Sequence, residues 1–435
     1  MSHRKSRDHD KVVYVVDGAR TPFLKMKGVP GPFSAADLGT QAAKALLAKQ
    51  PFAPDAFDEV IVGCAGPSEE EANIARIIAL RSGCGKKMSA YTVQRNCASG
   101  LQAIDNAVQS IQLGRSQLVL AGGAEAMSRA PLLYNKAMVF WLANLGRAKS
   151  PSQKLHSILK FRPKFLVPVI GLLKGLTDPV VNMNMGQTAE ELAYLFHITR
   201  LQMDEYAANS HLRALAAFEE GLLGEIAPLY ATDGTVYEQD DGVRTDSTVE
   251  RLAKLKPVFD KHGSITAGNS SQISDGAAFV VLASEEAVDK YQLPVIAKVV
   301  DTHFAALDPT IMGLGPVHAM TPILARNNLA LDDIDHMEIN EAFAAQVIGC
   351  VRAWQDDKYC KEALGLKAAM GSVDMAKLNP EGGAIAIGHP VGASGARLVL
   401  HCANMLEKHK TKRALASLCI GGGQGGAILL ERVGA

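Results

Sequence analysis

Several things are scarce in this 435-residue chain, and each absence excludes something. Its seven cysteines, at positions 64, 84, 97, 350, 360, 402 and 419, are odd in number, widely spread and contain no Cys-x-x-Cys pair. That argues against a disulfide framework or a zinc site and for a reducing interior. Formal net charge is zero, so no global field draws the protein to nucleic acid, and no zinc-finger spacing or RNA-binding signature is present. No apolar run reaches the roughly 18 residues needed to span a bilayer. The charged, His-rich residues 1–11 are followed only by the apolar run 12–16 before Asp17, too short for a signal-peptide core. The expectation is a disordered tail on a cytoplasmic protein.

What is present is a large apolar inventory: 48% hydrophobic against 21% charged residues, enough to bury two or three domain cores. Residues 12–16 read as a buried strand and 34–49 as a helix with Ser34 as its N-cap. Short strands at 59–63 and 118–121 alternate with helices at 72–80 and 101–111, which predicts βαβ units around a largely parallel sheet. Residues 186–223 carry strong helical periodicity, with Thr188 and Glu191 as a capping box and Thr199 capping a second helix. After Pro294 a second series of strands and helices repeats the layout of the first, each half placing a cysteine between a strand and the element that follows. This predicts an internal duplication.

One window breaks the pattern. Residues 126–177 hold nine bases (Arg129, Lys136, Arg147, Lys149, Lys154, Lys160, Arg162, Lys164 and Lys174) and no Asp or Glu, interleaved with apolar residues such as Phe140, Trp141, Phe165 and Leu166. Such a stretch suits an anionic membrane surface, a partner protein or the phosphates of a ligand; it also suits a solvated loop whose apolar residues cover the core.

The most informative stretch is 94–100. The β-favouring residues 88–93 precede it and Leu101, Ile104, Val108 and Ile111 follow at helical spacing, so Cys97 sits where a strand gives way to a helix. Unpaired N–H groups and the positive macrodipole there favour a thiolate over a thiol. Alone, Cys97 is a candidate nucleophile or a small buried thiol under a helix.

Other blocks decide between them. Asn96-Cys97-Ala98-Ser99-Gly100, Gly122-Gly123-Ala124-Glu125-Ala126-Met127-Ser128, Gly268-Asn269-Ser270-Ser271, Asn340-Glu341-Ala342-Phe343, Gly388-His389-Pro390 and Cys419-Ile420-Gly421-Gly422-Gly423 occur in this order. From about Val12 to Arg432 the sequence resembles the thiolases, enzymes that cleave or form 3-ketoacyl-CoA. The resemblance implies an α/β fold of two duplicated βαβαβαββ domains, residues 1–285 and 286–435, in a five-layered α-β-α-β-α architecture with a loop domain inserted at about 128–265. It implies thiolysis of 3-ketoacyl-CoA in fatty-acid β-oxidation, the alternative being condensation of two acetyl-CoA in the reverse direction.

The resemblance also implies roles. Cys97 attacks the ketone and carries the acyl group as a thioester, and His389 takes its proton. His389 and a water held by Asn340 stabilise the enolate of the leaving acetyl-CoA, and Cys419 protonates it, then acts as base toward incoming CoA. The N–H groups of Cys97 and Gly421 receive the thioester oxygen. Ser271 and Ala267 match positions along the pantetheine channel, Met185 and Met312 match positions bordering the acyl pocket, and Phe343 completes the substrate-binding set. Glu341 orients its neighbours. No metal and no permanently bound cofactor are implied; coenzyme A is a substrate.

The chain departs from short-chain thiolases in carrying Asn184 where they often have His. Its long basic window resembles the β subunits of trifunctional fatty-acid-oxidation complexes, yet Asn340 opens a block that in that group is commonly His-Glu-Ala-Phe. The partners expected are therefore acyl-CoA and CoA, a second copy (a homodimer or a dimer of dimers), and either a hydratase/dehydrogenase partner or a membrane surface at 129–174.

Overall fold

The computed structural model describes residues 11–434; the tail expected at residues 1–11 lies, but for Lys11, outside them. In chain order the principal strands are β1 (Val13–Arg20), β2 (Glu59–Gly63), β3 (Ser89–Val93), β4 (Leu118–Ala126) and β5 (Ser274–Ser284), then β6 (Ala297–Ala306), β7 (His336–Ile339), β8 (Arg413–Ile420) and β9 (Gln424–Glu431). They hydrogen-bond in the order β7-β8-β9-β6-β1-β5-β4-β2-β3. The sheet is mixed rather than largely parallel. Only β2 with β3, β2 with β4 and β7 with β8 run parallel. The remaining neighbours are antiparallel; β8 and β9 are joined by the short turn at residues 421–423, a connection only antiparallel neighbours can make.

The duplication is visible in this order. The first half reads β3-β2-β4-β5-β1. The second reads β7-β8-β9-β6, with a single parallel bridge from Leu378 to Met337 on β7 where the counterpart of β3 would lie. The halves meet where Val13–Val15 of β1 pair with Ala297–Val299 of β6.

Helices Ala35–Leu47 and Ile74–Arg81 cover one outer face, and Gly315–Arg326 and Ala344–Gln355 the other. Ser99–Gln112 and Val391–His409 lie between the two half-sheets and pack on each other. This gives five layers; Val391–His409 is buried along most of its length, while Ser99–Gln112 leaves Gln109 exposed. Ser34 caps its helix in a full box with Asp37, and Thr199 does the same with Gln202. The box expected at Thr188 is instead Asn184 with Gln187. Thr188 lies inside that helix, its hydroxyl donating to the Met185 carbonyl at 2.7 Å.

The basic window folds as helices Lys136–Arg147 and Pro151–Leu159 with shorter turns after them. Trp141, Phe161 and Phe165 stack edge to face inside it. Leu132, Phe140 and Leu159 remain about 70% exposed. No described helix is long and apolar enough to cross a membrane.

Candidate active site

The site forms where the two central helices begin. Cys97 stands two residues ahead of Ser99–Gln112, and His389 two residues ahead of Val391–His409. The helices can converge there because glycines line the crossing. A Cβ on Gly100 would lie 2.7 Å from the Gly392 carbonyl oxygen, one on Gly123 would lie 1.9 Å from it, and one on Gly395 would lie 2.6 Å from the Leu101 nitrogen. No side chain fits in those gaps.

The same internal symmetry places the other candidates. Asn340 follows the last residue of β7 as Cys64 follows the last residue of β2. The β2–β4 and β7–β8 registers put Gly63 opposite Gly123 and Ile339 opposite Ser417, so Cys419 occupies on β8 the position of Glu125 on β4. Thus the expected counterpart of Cys97 in the second half is His389, not Cys419. The constellation takes Cys97 from one half and His389, Asn340 and Cys419 from the other.

His389 is buried and has both ring nitrogens engaged. Ser394 Oγ donates to the Pro390 carbonyl at 2.9 Å and therefore accepts from His389 Nδ1 at 2.6 Å. That leaves His389 Nε2 as the lone-pair nitrogen, accepting from Asn340 Nδ2 at 3.3 Å. Burial, then the nearby Arg397 charge, push the His389 pKa down to about 3. The imidazole is neutral at physiological pH. Asn340 is fully buried, and its Oδ1 makes no hydrogen bond among the described residues.

Cys97 is a thiol, contrary to the expectation from its place at a helix start. Burial raises its pKa; the N–H groups of Gly421 and of Cys97 itself act against this, and the Glu125 charge adds to it. Desolvation outweighs the helix end because the thiolate loses more solvation than two N–H groups return. Cys419 is buried and held well above the ordinary thiol value by burial first, then by the charge of Cys97 and of Cys350. Cys97 lies close enough that a charge on it opposes the ionisation of Cys419.

Gly421, Gly422 and Gly423 form the turn between β8 and β9, with Gly422 and Gly423 at φ +92° and +76°. Cys97, Gly421 and Met185 line one cavity of about 590 Å³, together with Glu125, Met127, Pro131, Leu172, Lys174 and Leu176. Leu172, Lys174 and Leu176 come from the end of the basic window, which thereby becomes a wall of the site.

The other expected binding residues sit deeper or apart. Met312 and Phe343 are buried with Cys419 in one apolar cluster, against which Met185 packs. Ser271 N–H donates to the Ala342 carbonyl at 2.9 Å, which ties its loop to the Asn340 block; Ala267 is exposed nearby. None of these four lines the cavity at Cys97. Glu341 is buried and accepts from Ser210 Oγ at 2.6 Å, Tyr206 Oη at 3.0 Å, Asn379 Nδ2 at 3.1 Å and the Ile385 N–H at 3.2 Å, so it holds the segment leading to His389.

Sequence reasoning missed three residues. Glu125 is buried in the cavity wall and accepts from the N–H groups of Ala65 and Gly66 at 2.8 and 3.0 Å. Ser394 fixes the His389 tautomer. Asn96 donates to the Gly421 carbonyl at 2.8 Å. All three lay within or beside the motif blocks, but only their long-range partners reveal what they do.

Comparison with known proteins places the geometry in context. Residues 13–286 match the family "Thiolase, N-terminal domain" and residues 293–432 match "Thiolase, C-terminal domain". A beta-ketoadipyl-CoA thiolase of Acinetobacter baylyi is 40% identical over 97% of this chain and 100% of its own. The human mitochondrial 3-ketoacyl-CoA thiolase is 37% identical over 96% of this chain and 98% of its own. The crystal structure of the latter in complex with CoA superposes with a TM-score of 0.84 at 36% identity, covering 98% of this chain and 99% of that one.

Proposed function

The chain belongs to the thiolase family, and on that premise we propose that it is an acyltransferase cleaving 3-ketoacyl-CoA by thiolysis, through an acyl-thioester on Cys97. The observation that supports this best is the meeting of Cys97 with His389, Asn340 and Cys419 at the start of the two central helices. His389, neutral and with Nε2 free of a proton, takes the Cys97 proton as the sulfur attacks the ketone. The carbon–carbon bond breaks, and the electron pair moves into the enolate of acetyl-CoA. The imidazolium and a water held by Asn340 Oδ1 donate to the enolate oxygen. Cys419, a thiol at this stage, protonates the enolate carbon.

The electrostatics also order the second half-reaction. Protonating the enolate leaves Cys419 as a thiolate, which Cys97, capped as an uncharged thioester, cannot oppose with a charge of its own. Cys419 then takes the proton of incoming CoA, whose sulfur attacks the thioester; the acyl bond to Cys97 breaks, and the departing Cys97 thiolate regains its proton from the His389 imidazolium. The N–H groups of Cys97 and Gly421 receive the developing charge on its oxygen. Cys97→Ser tests the scheme: incubated with acetoacetyl-CoA, it should show no acyl mass adduct, and a thioester on that variant would overturn the assignment.

The cavity beside Cys97 receives the acyl chain. Its volume and the apolar side chains of Met127, Leu172, Leu176 and Met185 suit acyl groups longer than acetyl. Lys174 in the same wall favours a second reading, an acyl chain ending in a carboxylate, as in the substrate named for the Acinetobacter relative. Thiolysis rates across short-, medium- and long-chain 3-ketoacyl-CoA and 3-ketoadipyl-CoA separate the two. CoA itself approaches past Ser271, Ala267 and Phe343.

The assembly we propose is a homodimer. The outer edge of β3, immediately before the nucleophile, pairs with no strand among the described residues, and a second copy would satisfy it. The basic window presents bases beside exposed apolar side chains, which fits an anionic lipid surface. Reversing the charge of Lys160, Arg162 and Lys164 should weaken binding to anionic vesicles in a salt-dependent way. Capture of a hydratase/dehydrogenase instead would point to a protein partner. The seven cysteines, all unpaired among the described residues, fit a cytoplasmic location.

A further inference from the structure

The turn that carries Gly421 has no side chain of its own to hold it in place. Gly422 and Gly423 both adopt left-handed φ angles, and a Cβ on Gly422 would meet nothing within 4 Å. Glycines in succession leave a backbone with more accessible conformations than any other residue type. Yet the Gly421 N–H must point steadily at the Cys97 sulfur and at the oxygen that later develops charge there.

Two hydrogen bonds restrain the turn from outside it. Leu307 N–H donates to the Gly423 carbonyl at 2.8 Å, from within the second half. Asn96 Nδ2 donates to the Gly421 carbonyl at 2.8 Å, from across the domain boundary. Asn96 is itself firmly set. It has φ +44°, a conformation that Asn tolerates better than most residues. Its carbonyl accepts from Ser99 Oγ at 2.7 Å, and Ser99 Oγ accepts from the Arg95 N–H at 2.9 Å. Its Oδ1 accepts from Gln94 Nε2 at 3.2 Å, and the neighbouring Arg95 guanidinium stacks 4.1 Å over the Phe304 ring. The peptide that carries the nucleophile and the turn that carries the second N–H donor are thus joined by one side chain, adjacent in sequence to the first and bonded to the second.

We propose that Asn96 is a positioning residue for the acyl-transfer step, fixing the Gly421 N–H against Cys97 so that both donors of the oxyanion site are in place before substrate arrives. This rests on the proposed thioester chemistry at Cys97. The residue acts through Gly421 and does not itself touch the reacting atoms.

Asn96→Gly isolates the effect, because glycine keeps the left-handed backbone without strain and removes only the amide. The expected result is a fall of about tenfold in kcat for thiolysis of acetoacetyl-CoA, with KM for CoA changed by less than about twofold, as for loss of an interaction that matters in the transition state. The rate of Cys97 alkylation by iodoacetamide, followed against pH, should shift to higher pH, since the thiolate loses a fixed donor. The charge of Glu125 that also bears on Cys97 is untouched by the substitution. Asn96→Asp, which keeps the shape but sets a carboxylate against the Gly421 carbonyl, should be worse than Asn96→Gly on both measures, and it serves if the glycine variant fails to fold. Wild-type kcat together with an unshifted alkylation profile in a folded variant would overturn the proposal. The alkylation readout needs no thiolase turnover, so it separates failure of this inference from failure of the reaction assigned to the site.

Discussion

Asn340 Nδ2 and His389 Nε2 lie 3.3 Å apart in the interior of the protein, 49 residues distant in sequence. With Ser394 holding the other ring nitrogen, the contact makes His389 Nε2 an acceptor, and in the proposed reaction the Asn340 Oδ1 is left to hold a water. Asn340→Ala should therefore lower kcat by about 10²- to 10³-fold, the usual cost of losing one oxyanion donor. Stopped-flow measurement of acetyl-CoA release from acetoacetyl-CoA checks this. A loss confined to KM would place Asn340 in substrate binding instead.

Cys419→Ala separates the two half-reactions. With the acid removed, Cys97 should still become acylated, slowly, while exchange of the α-protons of acetyl-CoA with deuterated solvent should vanish. NMR reads the exchange directly, and exchange at the wild-type rate would exclude Cys419 as the acid/base.

A buried neutral histidine gives an unusual pH profile. His389 titrates at about 3 and Cys97 above the ordinary thiol value. Neither group changes state where a free histidine would, near about 6.5. The value of kcat/KM should consequently show no acidic limb near neutrality, and a limb there in initial-rate data would contradict the neutral imidazole.

His336 makes the corresponding prediction for stability. Burial, then the charge of His409, lower its pKa to about 4. The folded value lies below the unfolded one, so as pH falls from about 6.5 toward 4 the unfolded chain takes up the proton first and stability is lost. His336→Gln should reduce the decline of Tm over that window, measured by thermal melts at several pH values. An unchanged pH slope would refute the assignment.

The glycine crossing predicts a sharp contrast between two glycines. Gly123→Ala forces a Cβ to 1.9 Å from the Gly392 carbonyl oxygen and should cost about 3 kcal/mol or more. Gly146→Ala, in the helix Lys136–Arg147 with nothing within 4 Å of its Cβ, should be neutral or stabilising by up to about 1 kcal/mol. Denaturant titrations of the two variants check both values.

Much of the fold could be read locally. Ser34 and Thr199 cap helices as their side chains and spacing suggested, and the strands of both halves fall close to the apolar runs that predicted them. Readings that depended on partners elsewhere in the chain fared differently. Thr188 looked like a cap because a carboxylate follows three residues later, but Asn184, paired with Gln187, caps the helix one turn earlier and leaves Thr188 inside it. Alternation of strands and helices suggested a largely parallel sheet. It could not show that β4 and β5, separated by a long insertion, would pair antiparallel along nine residue pairs.

The sequence by itself determined the candidate groups: Cys97, Asn340, His389 and Cys419 stand in motif blocks shared with one family, because side-chain identity and immediate neighbours are local properties. Only the tertiary structure decided their protonation and their grouping. Cys97 is a thiol and His389 a neutral base because of burial, which depends on everything packed around them. The pairing of Asn96 with Gly421, and the approach of Cys97 from one half to His389 and Cys419 from the other, follows from two glycine-lined helix starts meeting between two sheets.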